Sequence, residues 1–226
     1  MPLECIELQV PVGAAPSAPA SASIIVLHGL GADGHDFVPV AQQLQLHGIG
    51  TVRFVLPHAP LRPVTLNGGM VMRAWYDISG SDLVRREDEA GLRQSRSLID
   101  ALIEREVERG VKASRIVLMG FSQGCAMTLL TGLRHPRRLA GLVALSGYLP
   151  LADRTAAEAS AANASVPIFM AHGHADPMIP IARATASRDA LRALRYAVQW
   201  HEYPMPHAVC ATEIADLNHW LLRVLA

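Results

Sequence analysis

Ser122 stands in Gly120-Phe121-Ser122-Gln123-Gly124, and the residues on either side decide what that pentad can do. The apolar run Ile116-Val117-Leu118-Met119 is short enough for a buried strand, and an apolar, helix-compatible stretch follows the pentad at once. A serine at such a strand-to-helix turn has its hydroxyl pushed out of the sheet toward a ligand. The next N–H, that of Gln123, points the same way from the start of the helix. Glycines at 120 and 124 let strand and helix approach closely. Without that context the pentad would be an ordinary Gly/Ser turn.

A serine hydroxyl is a weak nucleophile at neutral pH. It needs a base within hydrogen-bond reach and a third group that orients the base. The chain order Ser, then Asp or Glu, then His is the order of α/β-hydrolases. Three acids after Ser122 come into question: Asp153, Asp176 and Asp189. Asp153 lies in an excursion beyond Leu149-Pro150, and Asp189 inside an expected helix. Asp176 follows a buried strand, where a carboxylate points along the strand ends, so it is the expected acid. His172 and His174 share the turn with the acid and violate the chain order. They read as locally bonded or packed. His201 falls in the last strand and His219 in the last helix. His207 stands in the loop between those two elements and is the expected base.

Acyl transfer also needs donors for a developing oxyanion. The usual pair is the N–H after the nucleophile and one from the loop after an early strand. Gln123 supplies the first. The second is expected from Leu30 in His28-Gly29-Leu30-Gly31, where flanking glycines let a substrate reach the backbone. This loop is a poor phosphate cradle: no lysine follows with P-loop spacing, and no acidic ribose partner is placed after a second strand.

The elements that must position these groups alternate along the chain. Ile6, Leu8 and Val10 mark an edge strand, and residues 13–23 an Ala/Pro/Ser-rich connection. A short buried strand over 24–27 leads into the glycine loop. Phe37, Val40, Ala41 and Leu44 recur at helical spacing, with Gly48 placed to stop the helix. A strand over 51–56 precedes a long loop over 57–72 with three prolines and Gly68-Gly69. A helix is expected over 88–107, from the pairs Leu98/Leu102 and Ile99/Ile103. Further strands are expected over 115–119, 139–145, 168–171 and 196–202. A helix follows the elbow as far as His135-Pro136, a polar stretch leads to Pro167, and two helices carry Leu191/Leu194 and Ile214/Leu217/Leu221. Repeated alternation predicts a mostly parallel sheet with helices on both faces. Ligands then bind at the carboxyl ends of the strands, where every loop above lies. No repeat and no second-domain boundary interrupts residues 1–226, so a single domain is expected.

Composition narrows the class. Of 226 residues 50% are apolar, enough for a large core. Twenty Lys and Arg balance twenty Asp and Glu, so neither a nucleic acid nor a membrane surface is an expected partner. No apolar run has transmembrane length, and the first residues lack a signal-peptide pattern. Cys5, Cys125 and Cys210 are odd in number and far apart, which reads as reduced thiols in a cytoplasmic protein. No Cys/His spacing predicts a metal site, and no cofactor is expected. The oligomeric state, monomer or homodimer, stays open.

The motifs together resemble the carboxylesterase and acyl-protein thioesterase family of α/β-hydrolases, the small phospholipase/carboxylesterase group without a large cap domain. The resemblance covers nearly the whole chain. Leu27-His28-Gly29-Leu30-Gly31-Ala32-Asp33-Gly34 is similar to the family's first glycine loop. Arg73-Ala74-Trp75-Tyr76-Asp77-Ile78 is similar to its Trp-aromatic-Asp segment, and Glu87-Asp88-Glu89-Ala90-Gly91 to its acidic helix start. The elbow and His172-Gly173-His174-Ala175-Asp176-Pro177-Met178-Ile179-Pro180 complete it. The resemblance implies the triad Ser122, Asp176 and His207, with oxyanion donors at Leu30 and Gln123, the five positions already chosen on chemical grounds. Two positions depart from the family's pattern: Cys125 where Gly or Ala is usual, and Pro206 where Gly often precedes the histidine.

The expected function is hydrolysis of short-to-medium acyl esters or thioesters through an acyl-enzyme, with Trp75, Met70 and the 57–72 segment walling an apolar acyl site. Acyl-protein thioesterase and lysophospholipase activity are alternatives on the same triad. A cysteine hydrolase of dienelactone type would need Cys at the elbow. A silent binding module on the same fold would lack a triad member.

Overall fold

The computed structural model describes residues 3–10, 19–80 and 87–226. Most of the expected 13–23 connection lies outside the described residues. Among the described residues nine strands and six α-helices follow in chain order: β1 (Cys5–Val10), β2 (Ala22–Leu27), α1 (Val38–Gln43), β3 (Val52–Pro57), β4 (Leu61–Val64), β5 (Met70–Arg73), α2 (Glu89–Glu108), β6 (Ile116–Phe121), α3 (Gln123–Arg134), β7 (Gly141–Leu145), α4 (Ala152–Glu158), β8 (Ile168–Gly173), α5 (Ile181–Ala193), β9 (Val198–Tyr203) and α6 (Ala211–Val224).

Seven strands form one sheet in the order β1-β3-β2-β6-β7-β8-β9. Only β1 runs antiparallel, pairing Ile6 with Leu56 at the edge; the other pairings are parallel. Successive side chains of a strand face opposite ways, and the core divides accordingly. Ile25, Leu27 and Leu118 pack with Leu92 and Ile99 of α2 and Leu129 of α3. Ile24, Val26 and Val117 pack with Phe37, Ala41 of α1, and Leu217 and Leu221 of α6. Helices therefore cover both faces, which is why the inner strands read as unbroken apolar runs. Arg53 of β3 is a polar exception. Its guanidinium meets the fully buried Glu106 of α2 at 2.8 Å.

Three elements differ from the sequence-based expectation. Residues 57–72 are not an irregular loop: β4 and β5 pair as an antiparallel hairpin, Val64 opposite Met70 and Leu61 opposite Arg73. The helix expected from Phe37 to Leu44 is shorter. A 3-10 turn over Gly34–Phe37 precedes α1, and Leu44 is already extended at ψ 125°. The polar stretch before Pro167 holds α4, tied to α3 by the Arg134–Glu158 ion pair at 2.7 Å. Between β7 and β8 there is only this short helix and a 3-10 turn, so no cap domain is inserted there. No described helix is long and apolar enough to cross a membrane.

Helix α6 carries an unusual side chain. Glu213 is fully buried in its first turn. Burial pushes its carboxyl up from 4.5 to about 8, the Cys210 backbone opposing. The folded chain thus holds a proton where the unfolded chain has lost it. The resulting cost is absent below about pH 4.5, grows through the window and is complete above about pH 8. Each pH unit inside that window should lower stability by up to about 1.4 kcal/mol. Glu213→Gln should therefore match the parent in thermal melting near pH 4 and exceed it at pH 8. A difference that does not change with pH would remove Glu213 from this account.

Candidate active site

The chain runs from β2 to β3 in one direction, then crosses back over β2 to β6 and continues the other way. The crevice of such a sheet opens where the order reverses. Here it lies between the exits of β2 and β6, which carry the glycine loop and the elbow.

At the elbow Ser122 has φ 57° and ψ −116°. A non-glycine residue held there costs on the order of 1–3 kcal/mol, offset by the packing around it. That packing is backbone against backbone. A Cβ on Gly120 would lie 2.1 Å from the Gly124 carbonyl oxygen, and one on Gly124 2.0 Å from that of Leu27. Only glycines let β6, α3 and the exit of β2 close on one another. Cys125, next along α3, is fully buried and fills the space that Gly147 leaves, where a Cβ would meet Sγ at 2.5 Å. Burial pushes its thiol far up, so it stays protonated.

The glycine loop is sewn to residues 73–76. Gly31 N–H donates to the Arg73 carbonyl at 2.9 Å, and Trp75 Nε1–H to the His28 carbonyl at 2.9 Å. The Gln123 side chain clamps the same stretch: Oε1 accepts from Trp75 N–H at 2.9 Å and Nε2 donates to the Tyr76 carbonyl at 2.7 Å. His28 is fixed as a neutral ring, with Nε2 accepting from Ala59 N–H at 2.9 Å and Nδ1 donating to the Gly29 carbonyl at 2.7 Å. Burial lowers its pKa, in keeping with that tautomer. Among the described residues no carbonyl accepts the N–H of Leu30 or of Gln123, and both residues line the cavity beside Ser122.

Asp176 and His207 meet across the exits of β8 and β9. His207 Nδ1 lies 2.6 Å from Asp176 Oδ2. The other carboxylate oxygen accepts from Met178 N–H at 2.8 Å and Ile179 N–H at 2.9 Å. Burial pushes this carboxyl up, but the Ile179 N–H, the His207 hydrogen bond and the Met178 N–H outweigh it and hold it below the usual range. With Nδ1 given to the carboxylate, Nε2 of His207 is the nitrogen left to act as a base. His172 is a buried local anchor, its Nε2 donating to the Ile179 carbonyl at 2.8 Å. His174 is exposed.

Ser122, His207, Leu30 and Gln123 border one cavity of about 790 Å³. The expected wall residues differ. Trp75 has no exposure at all; it stiffens the glycine loop from behind rather than lining the cavity. Met70 is 63% exposed on the hairpin and does not line it either. Two residues further along β5, Met72 lies beside Gly31 and lines the cavity, joined by Leu66 from the hairpin turn and Met178 from the acid loop. Two tyrosines were not anticipated. Tyr148 follows β7, and its hydroxyl meets that of Tyr76 at 2.9 Å. Arg183 lies over the Tyr148 ring, 3.5 Å from its centre. The rule that ligands gather at strand exits applies to Tyr148 as it does to Asp176, and would have pointed to it.

Comparison with known proteins places the chain in a family. A sequence model of the phospholipase/carboxylesterase family matches residues 9–225. Acyl-protein thioesterase 1 of Neurospora crassa is 41% identical over 214 residues, 91% of this chain and 87% of its own. Acyl-protein thioesterase 1 of Mycosarcoma maydis is 42% identical over 220 residues, 91% of this chain and 92% of its own. Among solved structures, Zea mays acyl-protein thioesterase 2 has a TM-score of 0.85 at 27% identity over 99% of this chain and all of that one. Arabidopsis thaliana SOBER1 has a TM-score of 0.86 at 27% identity over 91% and 99%. With a match that runs almost from end to end and a sheet, elbow and glycine loop of this form, the chain belongs to the phospholipase/carboxylesterase family of α/β-hydrolases.

Proposed function

We propose that the protein is a serine hydrolase that cleaves short-to-medium acyl esters or thioesters through an acyl-enzyme. The observation that carries this reading is the 2.6 Å His207–Asp176 pair opening on the same cavity as a serine held at φ 57°. His207 Nε2 takes the proton of Ser122 as the hydroxyl oxygen attacks the acyl carbonyl. Asp176 fixes the tautomer of His207 and stabilises its cation. The N–H groups of Leu30 and Gln123 receive the oxyanion. His207 then returns the proton to the leaving alcohol or thiol, and activates the water that releases the acid. The thioester limb is supported by the relatives named acyl-protein thioesterase. Lysophospholipase activity would use the same groups. No step calls for a metal or cofactor, and the action is proposed to take place in the cytoplasm.

The acyl chain is assigned to the wall formed by Leu66, Met72 and Met178. Burying a methylene contributes about 0.8 kcal/mol, close to fourfold in kcat/KM. A p-nitrophenyl ester series from C2 to C16, with matched thioesters, should therefore climb steeply at first and level off once the cavity is full. EDTA should lower none of these rates. Labelling by a fluorophosphonate probe should accompany activity. A continuous rise to C16 with activation at a lipid interface would point instead to a lidded lipase. An unlabelled, inactive chain would leave the binding-module reading.

A further inference from the structure

Behind the glycine loop, three side chains that hydrolysis does not use converge. Asp33 caps the 3-10 turn over Gly34–Phe37 and His35 lies within it, while His58 follows the end of β3. One donor atom from each lies within 4.8 Å of the others. Asp33 Oδ1 and His35 Nδ1 are 2.9 Å apart, and the rings of His35 and His58 are 5.6 Å centre to centre. Ligands on one tetrahedral ion stand roughly 3.3 Å apart, given bonds of about 2.0–2.1 Å. The His35 side chain is 73% exposed, so it can turn to close the remaining gap. His58 is buried and supplies the fixed corner.

We propose that Asp33, His35 and His58 form a binding site for one borderline divalent transition ion, of which Zn²⁺ is the type, and that its occupancy slows the hydrolase. Two imidazoles and one carboxylate favour such ions over Mg²⁺ or Ca²⁺, which take oxygen ligands. Three protein ligands leave at least one position for water.

The coupling to rate follows from the second corner. His58 Nδ1 accepts the Gly34 N–H at 3.2 Å. Coordination ends that bond whichever nitrogen the ion takes. On Nδ1 the ion displaces the N–H. On Nε2 it moves the ring proton to Nδ1, so that two donors face each other. Gly34 has no slack for this, because a Cβ there would already lie 2.5 Å from the Leu56 carbonyl oxygen. The loop that shifts is the one that carries Leu30. Asp36, whose Oδ2 accepts the Asp33 N–H at 2.7 Å, borders the cavity directly. Binding itself is independent of the hydrolase reading; the effect on rate rests on it.

The test uses the untagged full chain. Titration with Co²⁺, followed by its d–d absorption, should saturate at one ion per chain, and Zn²⁺ should displace it. Losing even an outer-shell partner costs roughly 10–100-fold in metal affinity, so His35→Ala and His58→Asn should each weaken binding at least that much. Asn at 58 retains an acceptor for the Gly34 N–H, and thermal melting reports whether each variant folds. His174→Ala, remote from the cluster, should bind like the parent. Removing an oxyanion donor outright costs roughly 10²–10³ in rate, so Zn²⁺ should slow ester turnover about 3- to 100-fold, reversibly with EDTA. His35→Ala, normalised to its own metal-free rate, should resist. Absence of stoichiometric Co²⁺ binding, or undiminished binding in both folded variants, overturns the site. Inhibition that persists in His35→Ala places the ion at His207 and Asp176 instead, and binding without any change of rate overturns the coupling. Because Co²⁺ absorption is read without substrate, failure of the site and failure of the hydrolase reading are distinguishable.

Discussion

Ser122→Ala should lower kcat by on the order of 10⁴–10⁶, leaving only what the oxyanion donors and substrate binding contribute. The loss is this large because no nearby group can substitute. Cys125 is buried under Gly147 with its thiol held protonated. The Tyr76 and Tyr148 hydroxyls are bonded to each other, with burial holding both protons in place. The fold should survive, since alanine at φ 57° is strained much as serine is, and the glycines that permit the turn are untouched. Burst kinetics with p-nitrophenyl acetate, fluorophosphonate labelling and a melting curve together make the measurement. An alanine variant that labels, or that keeps a tenth of the parent rate, would place the nucleophile elsewhere.

Asp176→Asn should cost about 10⁴ in kcat, more than its small change in shape suggests. The side-chain oxygen of asparagine can still accept the Met178 and Ile179 N–H groups, so the acid loop keeps its form. The amide NH₂ then faces His207 Nδ1 where the carboxylate stood at 2.6 Å. Nδ1 becomes the acceptor, the ring proton moves to Nε2, and the nitrogen facing Ser122 is no longer a base. Nitrogen-15 NMR of the imidazole would report the tautomer directly, beside the rate. A loss under tenfold would mean that another group orients the histidine.

The parallel sheet was legible because its inner strands are buried on both faces and so read as plain apolar runs between glycine- and proline-marked turns. The proposed reacting groups were legible for a related reason. Strand exits are few, and Ser122, Asp176 and His207 follow three of them in the order that the chemistry expects. The hairpin over 61–73 escaped because its signal is weak. Each strand has four residues, Pro63 interrupts one, and Leu61, Met70 and Val71 are exposed rather than alternating in burial. Helix α4 sits in an Ala-rich stretch without apolar periodicity, and the ion pair that docks it joins residues 24 apart in sequence. Residue type alone puts Trp75 and Met70 in the wall, because large apolar side chains near a site suggest one. What decides between wall and support is the indole N–H, satisfied by the His28 carbonyl, and how far along β5 each methionine stands, Met72 being the one beside Gly31. Neither is written in residue type.

The sheet order also governs how this protein can diverge. The three proposed reacting side chains leave from β6, β8 and β9, whereas Leu66 and Met72 come from the hairpin and Tyr148 from the exit of β7. Inheritance can therefore act on the two sets separately. Changes at 66, 72 or 148 reshape what the cavity admits without touching the hydrogen bonds that hold Asp176 to His207 or the glycine contacts that seat Ser122. The glycine loop has no such freedom, since its backbone is bound at Gly31 and His28 to residues 73–75 and at Gly34 to His58. Lineages that share this architecture would be expected to drift in substrate range through the hairpin and the β7 exit, and to stay nearly fixed between residues 28 and 36.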